Sequence, residues 1–364
     1  MSKPRLIVYP RRGIDYCEQL YRVVAEMGTQ ALEGKWSVRW ILANVRRNDL
    51  VHLHWPSFFY FHANAPMRTH FELLRLFLRV GVVRLLGARI AWTAHNLYPH
   101  DGGRNRWTHR VARKLISRVA EVIFVHGPTA ARLVSGEFHI PARKLRQVPH
   151  GHWRDLYPQR PDRAEARRRI GMPADAVLYG FVGACRPYKN LESVVSAFAQ
   201  VDPASHLLIA GKFSPAGYLE TIRALIDPAC EARIHIVPRF LQDEEIMAYV
   251  AGLDALVLSY KEILTSGGAM LALSAGVPVV APRIGSLPDV IVESCGVLYD
   301  PGAPDGLANA MVEVRRRKYS RETIIAHALS FDWRISAHAL IDCLGGKPKR
   351  AQEKAKASCA PQQG

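Results

Sequence analysis

Residues 181–198 read FVGACRPYKNLESVVSAF, and residues 256–282 read LVLSYKEILTSGGAMLALSAGVPVVAP. Both have the same grammar: a short aliphatic run, a polar or glycine-bearing loop, then a helical pattern. That is the strand–loop–helix unit of a parallel sheet with crossover helices. Ligands in such sheets sit beyond the carboxyl ends of the strands, so the loops are the places to search. The first strand ends at Gly183, and its loop carries Arg186 and Lys189. Arginine presents a planar fork to phosphate oxygens, and lysine a compact charge. The second strand ends at Tyr260, and Thr265, Ser266, Gly267 and Gly268 open a helix. Serine is a good N-cap, adjacent glycines let backbone amides approach a ligand, and a helix N-terminus favours an anion. Taken singly, RxxK is a solvated basic loop and the serine–glycine start is an ordinary cap. Together they read as a phosphate site.

The same pattern extends outward. In the first half, RLIVYP, DLVHLHWP, RIAWTAHN and VIFVHG read as strands. In the second half, VLYGFVG, SHLLIAG, RIHIVPR, ALVLSY and PVVAP do the same. Helices are expected near 15–27, 106–118, 189–200, 217–226, 243–250, 267–275 and 305–317. The Arg- and Pro-rich stretch from Trp153 to Asp175 has no strand pattern and marks a boundary. The expected organisation is an acceptor-side Rossmann-like domain over 1–155, a linker over 156–175 and a nucleotide-binding Rossmann-like domain over 176–328. A helix over 329–344 is expected to return to the first domain, and 345–364 reads as a basic disordered tail. Two such domains face each other across a cleft.

The chain has 364 residues, 49% of them hydrophobic, enough for two cores. Its formal charge of +17 calls for something acidic nearby, whether nucleic acid, anionic lipid or phosphorylated substrate. Zinc-ligand cysteine pairs, basic-region heptads and aromatic RNA-binding motifs are missing, so nucleic acid is not the expected partner. Six scattered cysteines without a CxxC read as reduced thiols. The start, MSKPRLIVYP, reads as a strand rather than a leader, and no uncharged run of about 18 apolar residues appears. A cytoplasmic protein is expected.

Five stretches carry a resemblance: VHLHWP (51–56), TAHNLYPH (93–100), PHGHWRDLY (149–157), RPYKNLESVV (186–195) and SYKEILTSGGAMLALSAGVPVVAP (259–282). In order and across both domains, they resemble the GT-B glycosyltransferases, and among these the mannosyltransferases of xanthan-type bacterial exopolysaccharide assembly. The resemblance implies α/β GT-B architecture and transfer of mannose from GDP-mannose, with inversion to a β linkage, onto a polyprenyl-diphosphate-linked oligosaccharide. It implies a nucleotide-sugar co-substrate and no metal or other cofactor. The alternatives are a UDP-sugar donor, such as UDP-glucuronate or UDP-glucose, and a non-catalytic glycan- or nucleotide-binding relic. Donor contacts are expected from Gly183, Arg186, Lys189, Tyr260, Glu262, Thr265, Ser266, Gly267 and Gly268. Retaining relatives carry two donor-loop glutamates. Glu262 approximates the first, and Leu271 fills the place of the second.

An inverting transfer needs a base on the acceptor hydroxyl, opposite the leaving phosphate. The first-domain strand ends supply His95, aligned with a histidine that contacts the donor sugar in this family, and Asp101 as the carboxylate alternative. His54, Trp55, Asn96, His150 and Gly151 are the other cleft candidates. Trp55 serves as an acceptor platform or a packed aromatic, and His150 as a cleft residue or hinge packing. HFELLRLFLRVGVVRLLGARI (70–90) is apolar around much of its circumference, with arginines at 75, 79, 84 and 89, and RNRWTHRVARKLISRV is basic. Two readings stand: an interfacial surface on anionic lipid at the inner face of the cell membrane, or an internal helix with arginines snorkelling to its ends.

Overall fold

The computed structural model describes residues 3–100, 106–157 and 161–345. The first sheet collects β1 (Leu6–Tyr9), β2 (Ala31–Glu33), β3 (Leu50–Leu53), β4 (Arg89–Thr93), β5 (Val122–Val125) and β6 (Leu145–Gln147). Their order is β2-β1-β3-β4-β5-β6, and each neighbouring pair is parallel. The crossovers are α1 (Asp15–Glu26), α2 (Val38–Asn44), α3 (Pro66–Leu85), α4 (Arg106–Val119) and α5 (Pro128–Phe138). β1, β3, β4 and β5 are buried almost throughout, which is why they read as aliphatic runs. β2 and β6 were not legible. They are three-residue edge strands with exposed positions, too short to show a period.

The second sheet holds β7 (Val177–Val182), β8 (Ser205–Ala210), β9 (Ile234–Val237), β10 (Ala255–Val257), β11 (Val279–Pro282) and β12 (Gly296–Tyr299). Its order, β12-β11-β10-β7-β8-β9, is again parallel throughout. The order reverses between β10 and β7, so the loops after these two strands flank the crevice where such sheets bind ligands. They are the two loops that carry Arg186–Lys189 and Thr265–Gly268.

Around this sheet lie α6 (Arg163–Ile170), α7 (Leu191–Phe198), α8 (Tyr218–Ala224), α9 (Asp243–Ala251), α10 (Gly267–Ala275), α11 (Leu287–Val290), α12 (Gly306–Arg316) and α13 (Arg321–Leu329), and α14 (Trp333–Leu344) follows. The stretch read as linker holds α6, capped by Asp162 and ended by Gly171 in the left-handed region. α6 packs on α9 through Arg167, whose buried guanidinium donates to the carbonyls of Gly252, Pro173, Ala174 and Ala176 and to Asp254. α14 crosses back to lie on α1, and Arg89 at the start of β4 donates to the carbonyls of Cys343 and Leu344 at its end. The basic stretch 346–364 lies outside the described residues.

Candidate active site

Four neighbouring strands of the first sheet each deliver a histidine beyond their carboxyl ends: His54 after β3, His95 after β4, His126 after β5 and His150 after β6. Tyr16 of α1 stands among them, its ring centroid 5.8 Å from His54, 4.5 Å from His95, 5.4 Å from His126 and 5.1 Å from His150. Trp55 lies flat on His95, with centroids 3.9 Å apart and planes 11° apart. His52, on β3 itself, joins the cluster through Tyr21. Burial holds His95 and His54 well below the ordinary imidazole range, with neighbouring histidines adding to the effect. His52 and His126 are pushed down to about 3 and His150 to about 4, burial again leading. The cluster is therefore neutral at physiological pH. It offers hydrogen bonds rather than charge.

The positive charge comes from the second domain. Lys189 Nζ lies beneath three rings, 5.1 Å from the centroid of Phe181, 5.9 Å from Tyr188 and 5.8 Å from Tyr260. Burial lowers its pKa to about 8. Gly183 has φ +130°, and a Cβ there would stand 3.7 Å from Lys189 Nζ. A glycine thus both permits this backbone and leaves the ammonium approachable. Ser259 ties the two crevice loops together by donating to the carbonyls of Lys189 and Asn190 at 2.7 and 2.8 Å.

Ser266 caps α10, its Oγ accepting from the Ala269 amide at 3.1 Å and pairing with Tyr260 Oη at 3.0 Å. The Ser266 oxygen is thus engaged in the cap. Gly267 and Gly268 occupy the first turn, whose amides have no intrahelical acceptor. Thr265 Oγ1 is buried with no hydrogen-bond partner among the described residues, as is His126 Nε2. Both line one interdomain cavity of about 140 Å³.

The two halves meet at several points. A Cβ on Gly267 would stand 3.8 Å from His150 Nε2, and Trp153 Nε1 donates to the Gly267 carbonyl at 3.0 Å. His100 stacks on Tyr188 across the cleft at 3.8 Å, and Glu262 sits at the rim 4.0 Å from His100 Nδ1. Asp289, in α11, accepts from Thr129 N and Thr129 Oγ1 at the start of α5, both at 2.8 Å.

Among the residues expected in the site, His54, Trp55, His95 and His150 converge on one side. Gly183, Lys189, Tyr260, Thr265, Ser266, Gly267 and Gly268 converge on the other, with Arg186 in the same loop as Lys189. Asn96 faces away from the cluster, its Oδ1 accepting from buried Arg113 at 3.4 Å. Gly151 is required small because the Trp333 indole lies where its Cβ would be. Asp101 lies outside the described residues.

Residues 176–316 match the family described as Glycosyl transferases group 1. Sucrose-phosphate synthase from Thermosynechococcus elongatus superposes with a TM-score of 0.72 at 16% identity, covering 94% of this chain and 98% of that one. HepE of Anabaena, solved in complex with UDP, gives 0.71 at 17%, covering 94% and 100%. The chain has the GT-B architecture, two Rossmann-like α/β domains, that these structures share.

Among curated proteins similar to this chain, the GDP-mannose:glycolipid 4-beta-D-mannosyltransferase of Xanthomonas campestris pv. campestris is 29% identical over 249 residues, 66% of this chain and 63% of the relative. The D-inositol 3-phosphate glycosyltransferase of Corynebacterium efficiens is 32% identical over 221 residues, 54% of this chain and 51% of the relative. The chain thus spans less than two thirds of the length of these relatives. Within this GT-B fold, Tyr16, Tyr21, His126 and Trp333 are cleft residues that motif reading did not single out. His126 had a visible signal, since it ends VIFVHG just as His95 ends its own strand. The two tyrosines and Trp333 had none. They reach the cleft only through packing of α1 and α14.

Proposed function

We propose that this GT-B protein transfers a glycosyl group from a nucleoside-diphosphate sugar to an acceptor hydroxyl. One observation carries the reading: a cationic phosphate crevice, Lys189 with Arg186 and the α10 amides, faces a neutral histidine-lined wall across one cleft. Fixed cations and amides stabilise charge that develops on a departing diphosphate. The neutral wall holds sugar hydroxyls by hydrogen bonds and excludes water. Leu271 stands where retaining relatives carry their second donor-loop glutamate, which favours an inverting outcome.

A UDP-sugar is the donor to test first, because HepE, which shares the whole fold, is solved with UDP-glucose. GDP-mannose is the second reading, favoured by the Xanthomonas relative. The test is a transfer assay with UDP-glucose, UDP-glucuronate and GDP-mannose against lipid-diphosphate acceptors, with the product anomer read by NMR. Absence of both transfer and donor hydrolysis with every nucleotide sugar would refute the proposal and favour the non-catalytic relic.

α3 supports a lipid-linked acceptor. No helix among the described residues is long and apolar enough to cross a membrane. α3 nevertheless exposes Met67, Phe71, Leu74, Leu78 and Leu85, with Leu74 69% and Leu85 88% accessible. These positions recur at helical spacing along one stripe, with Trp107 of α4 also exposed and 6.0 Å from His70 of α3. Arginines 68, 75 and 79 lie on the same helix. A row of exposed apolar side chains among arginines supports docking on anionic lipid, where a lipid-linked glycan acceptor resides. Peripheral attachment at the inner face of the cell membrane is part of this proposal.

A further inference from the structure

A chain of hydrogen bonds runs from the core of the first domain to the cleft. Thr93 Oγ1 pairs with His52 Nε2 at 2.8 Å, and His52 Nδ1 with Tyr21 Oη at 2.9 Å. The same Tyr21 oxygen pairs with His54 Nε2 at 2.5 Å, and His54 Nδ1 with His95 Nε2 at 2.9 Å. Thr93, His52, Tyr21 and His54 are buried. Their partners come from β3, β4 and α1, so the chain exists only in the assembled domain.

The geometry fixes the heavy atoms, and the protons follow from counting. All three imidazoles are neutral, since burial depresses each of them, so each carries one proton. Every link needs one donor and one acceptor. If His52 Nε2–H donated to Thr93, the buried Thr93 hydroxyl proton would have no acceptor among the described residues. The cost of an unpaired buried donor disfavours that state by roughly tenfold or more in population. Thr93 therefore donates to His52 Nε2, which leaves His52 protonated at Nδ1 and donating to Tyr21. Tyr21, holding that incoming proton, can direct its own only to His54 Nε2. His54 is then protonated at Nδ1 and donates to His95 Nε2. Reversing any single link would place two protons, or none, between one pair of atoms.

We infer that Thr93, His52, Tyr21 and His54 form a relay that sets the tautomer of His95, leaving its Nε2 as an acceptor and presenting Nδ1–H toward the cleft. In this form His95 donates a hydrogen bond to a sugar hydroxyl or developing oxyanion. It does not hold a free lone pair for the acceptor proton. Tyr21, His52 and His54 are positioning residues, and their effect is transmitted through His95. The catalytic consequence rests on the glycosyltransferase reading above, whereas the tautomer is a property of the ligand-free protein.

The test uses the full chain with isotope-labelled histidine and long-range proton–nitrogen correlation at about pH 7.5, where neutral imidazole tautomers are distinguished. His95 is identified by the signals lost in His95→Gln. The expected result is a protonated Nδ1 and an acceptor-type Nε2. A proton on Nε2, or on both nitrogens, would overturn the inference without any variant. Tyr21→Phe removes the central hydroxyl and is expected to divide His95 between both tautomers. His54→Asn keeps an amide N–H near the place of Nδ1 and is expected to retain the Nδ1–H form. An unchanged His95 tautomer in Tyr21→Phe would also overturn the relay. With an active donor and acceptor, Tyr21→Phe is expected to lower kcat about tenfold with donor KM held within about twofold. An unchanged kcat alongside a mixed tautomer would overturn the catalytic consequence. Should the wild type transfer no sugar at all, the enzymatic reading fails while the tautomer measurement still decides the relay.

Discussion

Lys189→Met separates binding from stability at one atom. The substitution keeps the length and apolar stem of the side chain and removes the ammonium beneath Phe181, Tyr188 and Tyr260. Burial lowers the folded pKa from 10.5 to about 8, so the folded state holds this charge less readily than the unfolded chain does. At neutral pH both states are protonated, and the folded state bears the whole penalty. Between about pH 8 and 10.5 the unfolded state binds more protons than the folded one, so wild-type stability rises with pH across that window. Allowing for the partial exposure of the side chain, the penalty at neutral pH is about 1–3 kcal/mol. Lys189→Met is therefore expected to be more stable than wild type by that amount near pH 7, with the difference shrinking to nothing above the unfolded pKa. Donor affinity moves in the opposite direction. Losing one charge-assisted phosphate contact costs roughly 1.5–3 kcal/mol, or about 10–150-fold in Kd. Calorimetric unfolding of the ligand-free proteins from neutral to alkaline pH, with titration of UDP and GDP, measures both. Nucleoside-diphosphate affinity equal to wild type, or a less stable variant at neutral pH, would refute the assignment of Lys189 as a partly buried phosphate cation.

Other perturbations probe the rest of the molecule. Replacing Phe71, Leu74 and Leu78 together by serine is expected to abolish co-flotation with anionic liposomes while leaving nucleotide binding unchanged; retained flotation would rule out α3 as the membrane face. Gly151→Ala places a methyl group within the Trp333 indole and is expected to cost about 1–3 kcal/mol, read as a lowered denaturation midpoint as α14 is displaced. Arg167→Met leaves Asp254 and several carbonyls without their buried donor, and a loss of about 3–5 kcal/mol is expected in denaturant unfolding.

Much of the architecture is local in origin and was legible. β7 and β10 are aliphatic runs of strand length because both faces of a parallel sheet are covered, and the loops behind them announce themselves by glycine, serine and cationic side chains. Two α/β sheets separated near residue 160 follow from the same reasoning. β2, β6 and β12 escaped it because an edge strand of three or four residues with half-buried or exposed positions has no distinguishing period. The helix α6 escaped because its sequence, RAEARRRI, shows no apolar stripe. It is held instead by one buried arginine, Arg167, which ties the helix both to carbonyls of the segment that follows it and to Gly252 and Asp254, far away in the chain.

The amino-acid sequence by itself determined the strand–loop–helix units and which loops carry chemistry, since turn type, capping and burial pattern act over a few residues. Tertiary structure alone decided which of those loops face one another. Strand order brings His54, His95, His126 and His150 to adjacent strand ends, and the packing of α1 and α14 inserts Tyr16, Tyr21 and Trp333 among them. These contacts join residues far apart in the chain, and their geometry is set by sheet register and helix docking, neither of which leaves a periodic trace in the sequence.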